Sequence, residues 1–253
     1  MKRKQVIRKR INKRFIPNAF TVLNMYLGFS AIILLISGDP IKAGWFVFAA
    51  AMLDAFDGKL ARILGIESTF GTEFDSFADT VSFCVTSSIL IYTTWSSGLN
   101  PVLAVIFSFI PILFGTIRLA KFNLIKDETM SNFTGLTTPL FANLLFGYVL
   151  FSNQAFGNYG DPRLAFLMTT IFGLLMLSQI KLGRIPYLSL KKGKKNNIRL
   201  ISGLVIFASI IIWKGLVIFP VFLVYVIWSI INWFVQSEKF TLPERLKPSH
   251  YRN

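Results

Sequence analysis

Residues 41–79 read IKAGWFVFAAAMLDAFDGKLARILGIESTFGTEFDSFAD, a stretch that combines a long apolar run with four aspartates. Its first half is long enough to cross the hydrocarbon core of a bilayer, which takes about 20 mostly apolar residues. Asp54 and Asp57 lie near the end of that run, and Asp75 and Asp79 lie at the start of the next one. Carboxylates inside a membrane are costly unless they are paired or bound to metal. The stretch therefore predicts a membrane protein with a functional acidic site.

The rest of the chain repeats this pattern of long apolar runs separated by short polar turns. Of its 253 residues, 53% are hydrophobic, and the mean hydropathy of +0.58 is too high for an ordinary soluble domain. We predict an all-α integral membrane protein with about eight transmembrane helices. The predicted spans are residues 18–37, 41–64, 72–94, 101–123, 137–152, 163–181, 199–213 and 216–235.

The first predicted helix begins at Pro17, with Asn18 as its N-terminal cap. No small-residue cleavage site closes this apolar run, so we expect a retained helix rather than a signal peptide. The predicted organisation is a basic cytoplasmic arm, a polytopic transmembrane catalytic domain with a core and two extra helices, and a cytoplasmic tail. These parts are residues 1–15, 16–236 (core 16–182, extra helices 199–236) and 237–253.

Positive charge is distributed unevenly over the predicted loops. Of the 27 Lys and Arg residues, only Lys42, Arg163 and Lys214 fall on the side opposite the basic N-terminus. The positive-inside rule then places both termini, and the acidic residues, at the cytoplasmic face of the cell (inner) membrane. A net charge of +15 in a soluble protein would suggest a nucleic-acid partner, but here the charges flank apolar runs. We therefore expect membrane lipid as a partner, and no nucleic acid.

The spacing of the four aspartates predicts a shared metal site. Asp54 and Asp57 are three residues apart and Asp75 and Asp79 are four apart, so each pair shares one face of a helix. Because the connector is short, the two helices are expected to be antiparallel neighbours whose carboxylates converge. Oxygen ligands without Cys or His suit Mg²⁺, Mn²⁺ or Ca²⁺ rather than zinc. Four carboxylates suffice for two divalent cations, an arrangement that serves phosphoryl-type displacement.

The residues around the aspartates fit a nucleotide diphosphate. Gly58 and Ala61 are small and leave space above the acidic face, and Arg62 adds positive charge beside it. Gly71 and Thr72 are expected to open the next helix, where free backbone N–H groups favour an anion.

The whole pattern, Asp54-x2-Asp57-Gly58-x2-Ala61-Arg62-x8-Gly71-x3-Asp75-x3-Asp79, resembles at every fixed position the signature of the CDP-alcohol phosphatidyltransferase family. The resemblance implies that family's fold and the transfer of a phosphatidyl group from CDP-diacylglycerol to an alcohol, with CMP released. It also implies a homodimer.

The same resemblance implies a role for each residue of the site. One metal ion would be held by Asp54, Asp57 and Asp75 and the other by Asp54, Asp75 and Asp79, with Asp79 also the general base. The cytidine and its phosphates would lie against Gly58, Ala61, Arg62, Gly71 and Thr72, with Asn18 and Thr21 of the first helix close to the nucleotide. Helix capping is the alternative role for Asn18.

The acceptor alcohol is inferred from segments outside this signature. The segments 118–123 (RLAKFN) and 133–139 (FTGLTTP) resemble the branch of the family that transfers to L-serine, although that branch usually has proline where Thr137 stands. For the acceptor, Arg118 would bind the serine carboxylate, and Lys121, three residues later, would add a second positive charge on the same face. Alternatively, both merely flank the membrane as topological charges.

Other functions are compatible with parts of this pattern. The same chemistry on glycerol 3-phosphate, an inositol phosphate or choline is one alternative. An ion-coupled transporter with intramembrane acids is a second, and a scaffold that binds anionic lipid through the basic arm is a third.

Overall fold

The computed structural model describes residues 2–64, 68–125, 135–180, 208–210 and 212–241, without the side chains of residues 2–18, 57–64, 125, 214 and 236–241. Every regular element in these ranges is helical, which confirms the predicted all-α class. The main helices are α1 (Lys2–Ile36), α2 (Pro40–Leu64), α3 (Thr69–Trp95), α4 (Pro101–Ile125), α5 (Thr138–Phe156), α6 (Pro162–Met176) and α7 (Ile218–Thr241), the last preceded by a 3₁₀ turn at Lys214–Val217.

Several helices are suited to a bilayer. Within the described ranges, four segments are long and apolar enough to cross one, namely Ala19–Ile36, Thr69–Trp95, Pro101–Leu124 and Gly215–Val235, and α6 is apolar but shorter. Large apolar side chains such as Phe29, Ile106 and Val224 are exposed on the outside of the bundle. Such an apolar exterior is typical of a surface that faces lipid, so the chain is a membrane protein.

The helix α5 occupies the centre of the bundle. Residues 141–150 are all buried, and α5 packs against α2, α3, α6 and α7. A helix that is apolar on all sides is expected in such an enclosed position. The helix α1 packs along α2 and α3, and α4 packs along α3 and α6. The helix α3, which carries Asp75 and Asp79, is therefore enclosed by α1, α4 and α5.

The first helix begins earlier than its sequence predicts. The helix α1 starts at Lys2 and continues through Pro17, so the prediction that Pro17 begins the helix and Asn18 caps it is wrong. A proline removes one backbone hydrogen bond, a loss that long membrane helices tolerate. Most of the predicted span 199–213 lies outside the described residues, which include only 208–210 and 212–213 of it, both helical.

The helix α3 changes its winding along its length. It is α-helical over Thr69–Asp79, π-helical over Thr80–Val85, and π-helical again over Ile91–Trp95. The first π segment therefore begins directly after Asp79. Such segments are rare, are found mostly as single turns inside α-helices, and often occur at functional sites.

Glycines of the neighbouring helices contact the first π segment. Gly28 of α1 lies against Ser82, and Gly115 of α4 lies against Cys84, in both cases too closely to admit a Cβ atom. Small residues let transmembrane backbones approach closely, and this packing holds α3 from two sides.

We expect Gly28→Ala to destabilise the bundle because the added Cβ would meet the backbone Cα of Ser82, which cannot move without shifting α3. The expected loss is about 1–3 kcal/mol, the usual cost of overpacking. Thermal unfolding of the purified protein in detergent measures it as a lowered Tm.

The matched comparison is Gly115→Ala, where the added Cβ meets the Sγ atom of Cys84. Adding Cys84→Ala should restore much of the Tm of Gly115→Ala, whereas Ser82→Ala should not restore that of Gly28→Ala. A wild-type Tm for Gly28→Ala would contradict the close packing of α1 on α3.

Candidate functional site

Three of the four aspartates converge at one end of the bundle, which we term the acidic end. Asp54 of α2 and Asp75 and Asp79 of α3 each offer a carboxylate oxygen, and these oxygens lie within 4.8 Å of one another. Asp79 is buried, and Asp54 and Asp75 are half-buried. Asp57 lies on α2 three residues after Asp54, and its side chain is outside the described residues.

This acidic cluster fits a divalent cation. Carboxylates accept hydrogen bonds but donate none when ionised, so three of them at this separation repel one another. The repulsion is strongest where water is scarce, as it is around the buried Asp79. Hard cations such as Mg²⁺, Mn²⁺ and Ca²⁺ bind oxygen ligands of this kind and supply the missing positive charge.

The structure adds Thr138, a residue that the sequence analysis did not identify. Thr138 is fully buried at the start of α5, and its Oγ1 donates a hydrogen bond of 3.2 Å to Oδ2 of Asp79. Pro139 in the first turn of α5 helps to set where the helix, and hence this hydroxyl, begins. The only sequence signal was its place in the segment 133–139, and that segment gives no indication of a contact with Asp79.

Arg118 approaches the acidic cluster from α4. Its guanidinium interacts electrostatically with Asp79 and Asp54, and its Nε is buried without a hydrogen bond to any residue that the structure describes. Lys121, three residues later, is exposed. The structure therefore brings Arg118 to the acidic cluster and leaves Lys121 at the surface.

Hydrogen bonds connect the start of α3 to the end of α4. Nδ2 of Asn123 donates to Oε2 of Glu73 at 3.1 Å and to Oγ of Ser76 at 3.0 Å. Ser76 follows Asp75 on α3, and Asn123 lies on α4 five residues after Arg118. This contact therefore fixes the helix that carries the acids relative to the helix that carries the arginine.

The start of α3 differs from the predicted anion site. Ser68 caps the helix: its Oγ accepts from the N–H of Gly71 at 3.1 Å, and its carbonyl oxygen accepts from the N–H of Thr72 at 3.0 Å. The expectation that the N–H groups of Gly71 and Thr72 are free to bind an anion is therefore wrong. The reason is that the helix begins at Thr69, one turn earlier than predicted.

Of the remaining predicted nucleotide-binding residues, the structure describes the side chain of one and only the backbone of the other four. Thr21 is buried on α1, with 4% of its surface exposed. The side chains of Asn18, Gly58, Ala61 and Arg62 lie outside the described residues, although all four positions are helical.

The protein is a helical membrane bundle with a carboxylate cluster suited to divalent cations. It therefore belongs to the class of membrane proteins with a candidate metal centre. Comparison of the sequence with known protein families identifies the family within this class. The sequence pattern of the CDP-alcohol phosphatidyltransferases matches residues 14–236, and the chain belongs to this family.

Relatives from three organisms carry one name, CDP-diacylglycerol–serine O-phosphatidyltransferase. The protein of Helicobacter pylori strain J99 is 34% identical over 220 residues, which cover 86% of this chain and 90% of that protein. That of Methanocaldococcus jannaschii is 33% identical over 171 residues, covering 68% and 75% of the two chains. That of Bacillus subtilis strain 168 is 34% identical over 167 residues, covering 66% and 89%.

The contact between Thr138 and Asp79 predicts an effect on metal affinity. Thr138→Val keeps the shape of the side chain but removes the hydrogen bond to Asp79, whereas Thr138→Ser keeps the hydroxyl. Loss of a hydrogen bond to a ligand typically weakens metal binding about 10–100-fold. We expect that loss of Mn²⁺ affinity for the valine variant and near wild-type affinity for the serine variant, measured by calorimetric titration in detergent.

Thr169→Val is the matched control. Thr169 is also fully buried, but its Oγ1 donates to the carbonyl oxygen of Ala165 within α6. Its Mn²⁺ affinity should equal that of the wild type. Equal affinities for Thr138→Val and Thr169→Val would show that Thr138 does not support a metal ligand.

Proposed function

We propose that this protein transfers the phosphatidyl group of CDP-diacylglycerol to L-serine, giving phosphatidylserine and CMP. The observation that carries the proposal is the convergence of Asp54, Asp75 and Asp79 beside Arg118 in a member of this family. The names of the relatives supply the choice of donor and acceptor.

Two divalent cations, Mg²⁺ or Mn²⁺ with Ca²⁺ as a further candidate, are assigned to four aspartate ligands, namely Asp54, Asp57, Asp75 and Asp79. When bound, these ions neutralise the diphosphate and stabilise the charge that develops on the leaving CMP. Because the ligands come from α2 and α3, the site is complete only when these two helices are packed together.

Asp79 is assigned as the general base. Its carboxylate takes the proton of the serine hydroxyl, the serine oxygen attacks the lipid-linked phosphorus, and the bond from that phosphorus to CMP breaks. The hydrogen bond from Thr138 fixes the orientation of this carboxylate. A positioned base typically contributes about 10²–10⁴-fold to the rate.

Arg118 is assigned to the serine carboxylate. A guanidinium binds a carboxylate through two parallel N–H donors, and the Nε of Arg118 makes no hydrogen bond to a described residue. Packing of α4 on α3 holds the arginine beside the acidic cluster, and its Nε–H is a donor that we assign to the acceptor. Lys121 lies on the same face of α4 and is assigned a second, weaker attraction because it is exposed to solvent.

The nucleotide is assigned to the walls of the same site. The proposed contacts are Asn18 and Thr21 of α1, Gly58, Ala61 and Arg62 of α2, and Gly71 and Thr72 of α3. Since the N–H groups of Gly71 and Thr72 bind Ser68, any contact with these two residues uses the close approach at Gly71 or the hydroxyl of Thr72.

The distribution of Lys and Arg residues supports a proposal for the location of the protein. We propose that it lies in the cell (inner) membrane with both termini and the acidic end in the cytoplasm, where serine and CMP are soluble. The division into a basic arm (1–15), a catalytic domain (16–236) and a tail (237–253) is part of this proposal, as is a homodimer.

Release of CMP from CDP-diacylglycerol by the purified protein tests the function. With Mn²⁺ or Mg²⁺ present, we expect release that depends on L-serine, and its loss on addition of EDTA. Glycerol 3-phosphate, an inositol phosphate and choline form the comparison panel. Release with one of these alone would replace serine as the acceptor, and no release with any alcohol would favour a transporter or a lipid-binding scaffold.

The assignment of Arg118 predicts a selective effect on serine. Arg118→Gln should raise the KM for serine at least about tenfold, because a charge-assisted hydrogen bond is lost, while the KM for CDP-diacylglycerol changes little. Lys121→Gln is the matched control from the same helix face and should change the serine KM only a few-fold. Equal changes in the two variants would indicate that both residues act merely as topological charges.

A further inference from the structure

Asn24 of α1 is a buried polar residue that nothing described so far explains. Its exposed surface is 0%, and neither Oδ1 nor Nδ2 of its amide has a hydrogen-bond partner among the residues that the structure describes. Most buried polar side-chain atoms in folded proteins do have one, so an amide with both groups unsatisfied calls for a specific explanation.

The position of Asn24 is fixed by its contacts with α3. Thr21, Asn24 and Gly28 share one face of α1, because they are spaced three and four residues apart. Ser82 of α3 lies against this face: its Oγ donates to the carbonyl oxygen of Asn24 at 3.0 Å, and its Cα and side chain contact Gly28. Ser82 follows Asp79 by three residues, so Asn24 lies next to the turn that carries this acid.

The contacts of Ser82 indicate how Asn24 is placed relative to the acidic cluster. The helices α1 and α3 run in the same direction because α2 returns between them. The Cα of Ser82 lies against Gly28, and its Oγ reaches the carbonyl oxygen of Asn24. The residues about one turn earlier on the two helices, Asn24 and Asp79, therefore lie at about the same level. Side chains of an α-helix lean towards its N-terminus, so the amide of Asn24 leans from this level towards Thr21 and the acidic end.

We propose that Asn24 is a further substrate-binding residue of this site, whose Nδ2 donates a hydrogen bond to a phosphate oxygen of the CDP-linked lipid. The inference rests on the proposed function and extends it to a residue outside the family signature quoted above. The chemistry favours a phosphate because the carboxylates of the acidic cluster supply acceptors only, and the backbone N–H groups of Gly71 and Thr72 are occupied.

A neutral amide also suits this place better than a charged donor. A lysine at this depth would pair directly with the aspartates and would compete with the divalent cations for them. An asparagine adds a donor without adding charge, so it can bind a phosphate oxygen while the cations balance the carboxylates.

The test uses Asn24→Leu, which replaces the amide with an apolar group of similar size. Without ligand, its Tm in detergent should equal or exceed that of the wild type, since no unsatisfied polar group is left. The dissociation constant for CDP in the presence of Mn²⁺ should rise about 10–100-fold, as expected for a lost hydrogen bond to a charged group. The increase in Tm that Mn²⁺ causes in the absence of CDP should be the same for Asn24→Leu as for the wild type.

Asn143→Leu is the matched control. Asn143 of α5 is also buried, at 4% exposure, but its Nδ2 donates to the carbonyl oxygen of Pro139 at 2.8 Å. This variant should lose stability and keep its affinity for CDP. If Asn24→Leu does not fold, Asn24→Ala removes the same amide in less space and should show the same loss of CDP affinity.

Two outcomes would overturn the assignment of Asn24. Wild-type affinity for CDP in either folded variant would show that the amide does not bind the nucleotide. If the variant loses the Tm increase caused by Mn²⁺ together with its affinity for CDP, the amide of Asn24 supports the ions rather than the phosphate. A wild-type protein that binds no CDP would instead overturn the proposed function, and the inference with it.

Discussion

Electrostatic repulsion among carboxylates in a membrane protein is the constraint on which the rest of this structure depends. Oxygens of Asp54, Asp75 and Asp79 lie within 4.8 Å of one another, although ionised acids at such depth are costly without positive charge nearby. A soluble protein would let water screen them. Here the compensation has to come from bound cations and from Arg118, and the bundle has to hold the acids together against their repulsion.

The helix α3 provides that rigidity. It is enclosed by α1, α4 and α5, and glycines on two of these helices let their backbones approach its first π segment. Ser68 at its start and the hydrogen bonds from Asn123 fix its first turns, and Thr138 fixes the carboxylate of Asp79. The packing therefore limits how far the aspartates can move apart, and the cluster remains suited to a divalent cation.

Hydropathy and spacing predict much of this fold, because a bilayer demands long apolar helices and because residues three or four apart share a helix face. The convergence of Asp54 with Asp75 and Asp79 follows from that spacing and a short connector. The start of α1 does not follow from the sequence pattern. Pro17 predicts a helix boundary, but a long membrane helix tolerates a proline in its interior. The contacts of Thr138 and Asn24 are also beyond sequence reasoning: both depend on how separate helices pack, and a buried Thr or Asn looks the same in the sequence whether or not it faces a site.

The distribution of donors and acceptors explains why the site needs several helices. The helices α2 and α3 supply carboxylates, which can hold cations but repel the phosphates and the carboxylate of the proposed substrates. Further donors come from outside these two helices: Arg118 from α4 and, in our proposal, the amide of Asn24 from α1. Because these two donors lie on α1 and α4, the packing of the bundle, rather than nearness in the sequence, brings them to the acidic cluster.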